Sequence, residues 1–266
     1  MNPHLSKILP PLQVPAWQVD ISDSELNEYF KVAYDRSFGM GKFVKELEYR
    51  LSILLNYKHV ICMTSGSCCL LAILMMYRNR SFLPILVGNR TWACATNATK
   101  ILNITSRLAD CLPGKPVIDI NDKVLQDISN GLYGALLVSC INGHTIPRFS
   151  ELQDVCRSSS VLLILDKAQS FYSAPDCHGD LTFFSLGMTK LLGAGQGGFI
   201  GTNHDLLADN LRLIRLHGFN DPFYRLAGPS IGFNFRLTDP HAAIALGTLS
   251  SLPSRISSLR SISQKY

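Results

Sequence analysis

A layered α/β domain built on a mostly parallel sheet is predicted for this chain by three observations. Short apolar runs of five or six residues recur along it; segments with helical spacing separate them; and the runs are apolar throughout rather than alternating. Strands of that kind are buried on both faces, as in parallel sheets covered by helices, and alternation of strand and helix is the pattern of such layers. The 266 residues suffice for one large domain or two modest ones. A composition 47% hydrophobic and 17% charged supplies a substantial core.

In chain order, HVICM (59–63) reads as a strand and SCCLLAILMMYRN (67–79) as a helix buried on most sides. PILVG (84–88) is a strand, followed by a helix over 91–102; GALLVS (134–139) is a strand, followed by a helix over 148–159. VLLILD (161–166) is the clearest buried strand, and LTFFS (181–185) and GFIGT (198–202) are two more. Residues 204–218 read as a helix stopped by Gly218. From residue 242 onward, Leu246, Leu249, Leu252, Ile256, Leu259 and Ile262 keep helical spacing, with Pro253 as a kink or a start. The first 35 residues are less regular and are expected to form an arm.

The composition argues against several function classes. The net charge of +5 is mild and the 25 Lys and Arg never form a run of five, so nucleic acid is not the expected partner. The opening MNPHLSKILPPLQVPAW has a proline pair where a signal peptide needs an apolar stretch. No apolar run approaches the roughly 18 residues of a membrane span. The expectation is a cytoplasmic protein without a membrane partner. Eight cysteines form no C-x-x-C pair and sit mostly in apolar segments, so they read as buried reduced thiols. Seven dispersed histidines with no H-x-x-x-H make a metal site unlikely on pattern.

In α/β sheets, ligands bind at the carboxyl ends of the strands, so the residues just after the apolar runs are the functional candidates. Asp166 ends a fully apolar strand, with Gln169 three residues on. A carboxylate there is costly without a cationic or hydrogen-bonding partner, although turn and helix-capping aspartates are equally common. Thr64, Ser65, Gly66 and Ser67 lie between strand and helix, where backbone N–H groups and hydroxyls make an anion site; an ordinary N-cap serine is the plainer explanation. Ser185 ends a strand, and Lys190 follows beside glycines, where a desolvated amine becomes a usable nucleophile; a solvated loop lysine is the plainer alternative. Trp92 opens a helix after a strand, placed either to stack on a planar ligand or to pack in the core. Taken together, an amine, a carboxylate, an anion cradle and an aromatic cover meet the needs of pyridoxal phosphate.

Gly193-x-Gly195-x-x-Gly198 formally matches the dinucleotide fingerprint, but a strand pattern follows it where a helix is required. The glycines instead read as positions where the backbone passes close to a cofactor and a neighbouring chain.

The ordered motifs GKFVKELEYRLSILLNYKHVICMTSGS, TWACATNA, LDKAQS, FFSLGMTKLLGAGQGGFIGTN, RLIRLHG and GFNFRLTDPHAAIALGTL resemble the DegT/StrS family of pyridoxal-phosphate-dependent sugar-nucleotide aminotransferases, over about residues 38–260. The resemblance implies the three-layer large domain of the type I aminotransferase fold. It implies that Lys190 forms the imine with the cofactor and carries the proton, and that Asp166 pairs with the ring nitrogen. Gln169 would contact the ring hydroxyl side and Trp92 would stack on the ring. Gly66, Ser67 and Cys68, with Ser185, would hold the phosphate, and Asn234 would reach the phosphate of a partner subunit in a homodimer with shared active sites. The implied substrates are a keto sugar nucleotide and an amino donor, glutamate. Relatives that act as dehydratases carry histidine at the lysine position, so Lys190 favours transamination.

The chain departs from the family pattern at Ser67, Cys68, Leu165, the C-I-N-G stretch at 140–143 and His241. It also stops where the family continues into a small C-terminal domain. The resulting expectation is an arm over 1–35, a cofactor-binding large domain over 36–245, and over 246–266 the start of a helix towards that small domain. A relative that binds the cofactor or a partner chain without turnover is the alternative reading.

Overall fold

The computed structural model describes residues 23–36, 38–172, 177–221, 226–228 and 231–265. Seven strands form one sheet: β1 (His59–Met63), β2 (Ile85–Gly88), β3 (Ser106–Ala109), β4 (Ala135–Ser139), β5 (Leu162–Asp166), β6 (Leu181–Ser185) and β7 (Gly198–Thr202). Their order is β1-β7-β6-β5-β4-β2-β3. β7 runs against both of its neighbours, and the pairs from β6 through to β3 are parallel. The carboxyl ends of six strands and the amino end of β7 therefore share one edge. The fold class is the one expected, an α/β domain on a mostly parallel sheet.

The period-2 alternation of side chains sorts each apolar strand onto two cores. On β5, Ile164 joins a cluster with Leu70, Ile73 and Leu74 of α3 (Gly66–Arg78). Leu163 and Leu165 point the other way, to Leu125 and Ile128 of α5 (Asp122–Ser129) and Leu152 of α6 (Phe149–Ser158). On β1, Val60 and Cys62 pack with Leu47 and Leu51 of α2 (Lys42–Leu55) and Leu246 of α8 (Asp239–Ser263). The sheet is thus the middle of three layers. α4 (Cys94–Ile101) and α7 (Asp205–Arg215) join α3 on the first face, through Ala95, Ala98, Leu211 and Ile214. A two-stranded sheet, β8 (Phe219–Asp221) with β9 (Leu226–Ala227), follows α7.

The strands at 59–63, 181–185 and 198–202 fall where the sequence places them, and the other expected strands agree to within a residue. The helix expected over 91–102 begins at Cys94, so Trp92 stands in the loop before it. Pro253 starts nothing: α8 runs through it from Asp239. Residues 23–35 of the expected arm form α1 (Asp23–Asp35), which packs along α8; residues 1–22 lie outside the described residues. The division expected at 245/246 falls inside α8. The start of α8 is tied to the body of the domain, because Asp239 Oδ1 accepts the N–H groups of Gly41 at 2.9 Å and Val44 at 3.0 Å. It thereby caps α2, whose own N-cap glycine has no side chain to do so.

Within the glycine stretch, Gly198 is required by a close contact. A Cβ there would lie 2.4 Å from Gly66 N and 2.6 Å from the Ser65 carbonyl carbon. The absent side chain lets the start of α3 press against β7, within one chain. Gly198→Ala is expected to lower stability by about 1–3 kcal/mol or more, as overpacking of a rigid contact does; a thermal melt beside the parent protein measures it.

Candidate active site

Strand parity and strand ends together build the site. Ser139, Asp166 and Ser185 are the last residues of β4, β5 and β6. Each is an even number of positions from a residue of the α3-side core (Leu137, Ile164 and Phe183), so all three side chains point to that face. The first turn of α3 reaches the same edge. Together these elements enclose a cavity of about 350 Å³ whose lining includes Gly66, Ser67, Trp92, Asp166, Gln169, Ser185 and Lys190. Seven of the nine expected positions thus meet in one place, although they are spread over more than a hundred residues of sequence.

Asp166 is buried, at 7% exposure. Its Oδ1 accepts the Ala168 N–H at 2.9 Å and its Oδ2 accepts the Ser139 hydroxyl at 3.3 Å. Burial pushes its pKa above the ordinary carboxylate value; the Ala168 and Ser139 hydrogen bonds and the positive charge of Lys190 oppose that shift. A buried carboxylate at the inner end of a cavity has a use for a cationic or N–H partner there. Lys190 is half-buried, and its N–H donates to Gly187 O at 2.9 Å, closing a turn after β6 that carries the amine back over the strand end.

At the other end, the N-terminus of α3 faces the cavity with Ser67 and Ser185 beside it. Ser65 caps the helix: its Oγ accepts the Cys68 N–H at 3.1 Å. The Cys68 N–H is thus given to the cap, and Cys68 is not among the residues lining the cavity. Gly66 is buried, and a Cβ on it would approach Phe184 O and Ser185 Cβ at 3.3 Å, so its lack of a side chain keeps β6 and α3 close. Trp92 stands at the cavity mouth, 64% exposed, rather than in the core. The Gln169 amide oxygen accepts the Asn142 N–H at 3.0 Å, which leaves its NH2 group for the cavity. Asn142 adopts φ 52°, the left-handed region that asparagine tolerates better than most residues. Asn234 is exposed and lies outside the cavity, its Oδ1 accepting Arg236 Nε at 2.8 Å.

The sequence reading missed Cys94, Thr189 and Gln196, which also line the cavity. Cys94 lies in the quoted TWACATN stretch, but only the shortened helix shows that it faces inward. Burial, then the Asp166 charge, raises its thiol pKa, and a Ser67 hydrogen bond opposes this, so it is a weak nucleophile. All eight cysteines are free thiols; burial raises Cys140 and Cys156 to about 12.

A second cavity of about 510 Å³ shares Ala168, Gln169, Ser185, Thr189 and Lys190 with the first and extends to Tyr172 and to Leu259 of α8. A larger groove of about 1240 Å³ between α1, α2 and α8 is remote from these groups. Among the described residues no cluster of three or more His, Cys, Asp or Glu could hold a metal, and no helix is long and apolar enough to cross a membrane.

The architecture matches that of several solved structures. Helicobacter pylori PseC, described as an aminotransferase involved in the biosynthesis of pseudoaminic acid, superposes with a TM-score of 0.78 at 22% identity, over 88% of this chain and 64% of that one. Escherichia coli GDP-4-keto-6-deoxy-D-mannose-3-dehydratase with bound hydrated PLP superposes with a TM-score of 0.75 at 20% identity, over 91% and 68%. In sequence, the chain is 27% identical to GDP-perosamine synthase of Caulobacter vibrioides over 248 residues, 91% of this chain and 65% of the relative. It thus spans just under two thirds of that relative's length. The DegT/DnrJ/EryC1/StrS aminotransferase family model matches residues 19–266, and the chain belongs to that family.

Proposed function

We propose that the chain is a pyridoxal-phosphate-dependent aminotransferase that moves an amino group, from glutamate, to a keto sugar nucleotide. The observation that carries this reading is the single cavity joining Lys190, Asp166, Trp92 and the α3 N-terminus with Ser67 and Ser185. The donor set fits the cofactor at both ends: an anion cradle of helix N–H groups and hydroxyls suits a phosphate, and a buried carboxylate suits a protonated ring nitrogen. Family membership and the PLP found in the dehydratase relative support the same reading.

When bound, the cofactor supplies an electron sink that acidifies the C–H bond beside the transferred amine. The chain's own residues do the rest. Lys190 Nζ would take up and give back the proton at the reacting carbon, a general-base and general-acid role. Asp166 keeps the ring nitrogen protonated by presenting an ionised carboxylate. Gln169 would hold the ring hydroxyl side, and Trp92 would cover the ring and exclude water. Ser67, Gly66 and Ser185 would fix the phosphate, and in a homodimer Asn234 would reach the partner subunit's phosphate. The adjoining 510 Å³ cavity leaves room beside Lys190 for a sugar, with Tyr172 on its wall.

The test is half of the reaction. Mixed with pyridoxal phosphate and then glutamate, the protein should shift the cofactor's absorbance and release one 2-oxoglutarate per chain. A keto sugar nucleotide should then restore the first spectrum. Saturable cofactor binding without 2-oxoglutarate release would mark a relative that binds but does not turn over.

A further inference from the structure

We propose that Thr91 and Ser139 are positioning residues: two hydroxyls in series, Thr91 Oγ1 to Ser139 Oγ to Asp166 Oδ2, hold the Asp166 carboxylate ionised and aimed into the cavity. Thr91 Oγ1 lies 2.7 Å from Ser139 Oγ, and Ser139 Oγ lies 3.3 Å from Asp166 Oδ2. Neither residue lines the cavity, and Ser139 reaches it through the Asp166 carboxylate.

Backbone pairing places the inner link. Ser139 and Asp166 are register partners in the parallel β4–β5 ladder, so their side chains leave the sheet side by side on one face. The Cys140 N–H donates to Asp166 O at 2.9 Å and locks that register at the strand ends. The outer link comes from a third segment, the loop between β2 and α4, which also carries Trp92. The series therefore ties the residue next to the aromatic cover to the carboxylate across three neighbouring pieces of the sheet edge.

The charge state of Asp166 sets the direction of every proton. An ionised carboxylate only accepts, so Ser139 must donate to it; the Ser139 oxygen then accepts from Thr91. Hydrogen bonds given to the charged form lower a carboxyl pKa, against the rise that burial causes. The other ionisable groups facing Asp166 are Lys190 from the loop after β6, Cys94 from α4 and Cys140 after β4, with Lys167 next in the chain. Lys190 favours the ionised form, and the two thiols are held neutral by their own raised pKa values.

The proposal's catalytic consequence rests on the reading that Asp166 meets the cofactor's ring nitrogen, but its direct test does not. In the full chain without cofactor, labelled at aspartate Cγ and assigned with an Asp166→Asn sample, the carboxyl midpoint is read by carbon-13 resonance against pH. Ser139→Ala should raise it by about half to one pH unit, the size of one modest hydrogen bond to a charge. Thr91→Val should raise it by less, and Ser139→Thr and Thr91→Ser should keep it at the parent value. Unchanged midpoints in Ser139→Ala and Thr91→Val overturn the proposal; if Ser139→Ala does not fold, Thr91→Val alone decides. A parallel absorbance titration with pyridoxal phosphate separates the two readings. A raised midpoint with no saturable cofactor binding supports the hydroxyl series and removes the cofactor assignment. Saturable binding with unmoved midpoints does the reverse.

Discussion

Lys190→Ala should reduce amino transfer by about 10³-fold, within the 10²–10⁴ range that a positioned proton carrier provides. The amine borders both adjoining cavities, and Asp166 feels its charge. On the proposed reading, alanine would remove both the amine that would bond the cofactor and the group that would carry the proton. The α3 N-terminus proposed to hold the phosphate is built from residues separate from Lys190, so cofactor affinity should weaken without vanishing. Lys190→Arg is the sharper comparison, because guanidinium keeps the positive charge near Asp166 but cannot give up its proton in a protein. Equal losses in Lys190→Ala and Lys190→Arg, measured by 2-oxoglutarate release in a single turnover, assign the role to the proton and not to the charge. Retention of turnover within tenfold in either variant would sink the assignment of Lys190.

The buried part of the fold was legible because burial on two faces leaves a mark in the sequence. β1, β4, β5, β6 and β7 are almost wholly buried, and their runs are apolar to match. β3 was missed because Arg107 and Leu108 are exposed, so no apolar run marks it. α5 was missed because its eight residues bury only Leu125 and Ile128, and Asn121, whose Oδ1 accepts the Val124 N–H at 3.0 Å, carries much of its definition. The same contrast runs through the site. Strand ends pointed to Asp166, Ser185 and the α3 start, since the physics of a parallel sheet puts ligands there. The commitment of the Cys68 N–H to Ser65 could not be read, because the ordinary cap and the anion cradle use the same residues and differ only in which N–H each takes. The partners of Asp166 were equally hidden: Ser139 and Thr91 are two common hydroxyl residues, set beside it only by β4–β5 register and a loop from β2.

Asp166→Asn should separate function from stability, with opposite signs. Without cofactor, the variant should melt at a higher temperature than the parent at pH 7. The folded pKa of Asp166 is raised above the ordinary 3.8, so the folded state binds more protons than the unfolded state between those two values. Folding stability contributed by this group therefore falls as pH rises from about 3.8 through the raised folded value, and stays low above it. Asparagine removes that loss. The Ser139 and Thr91 hydroxyls can turn to accept from the new amide, so the substitution strands no polar group. The difference in melting temperature should shrink to nothing at pH values below 3.8, at about 2–4 °C for each kcal/mol in a chain of this size. With pyridoxal phosphate the order should reverse. A cationic ring nitrogen would offset the buried charge, so the cofactor should stabilise the parent more than the variant by binding linkage. Amino transfer by the variant should fall about 10²-fold or more, since the neutral amide no longer favours a protonated ring. An apo variant no more stable than the parent at pH 7, or an equal gain in melting temperature on adding cofactor, would show that Asp166 is not the buried counter-charge of this site. Its burial would then be a structural cost with no cofactor to offset it.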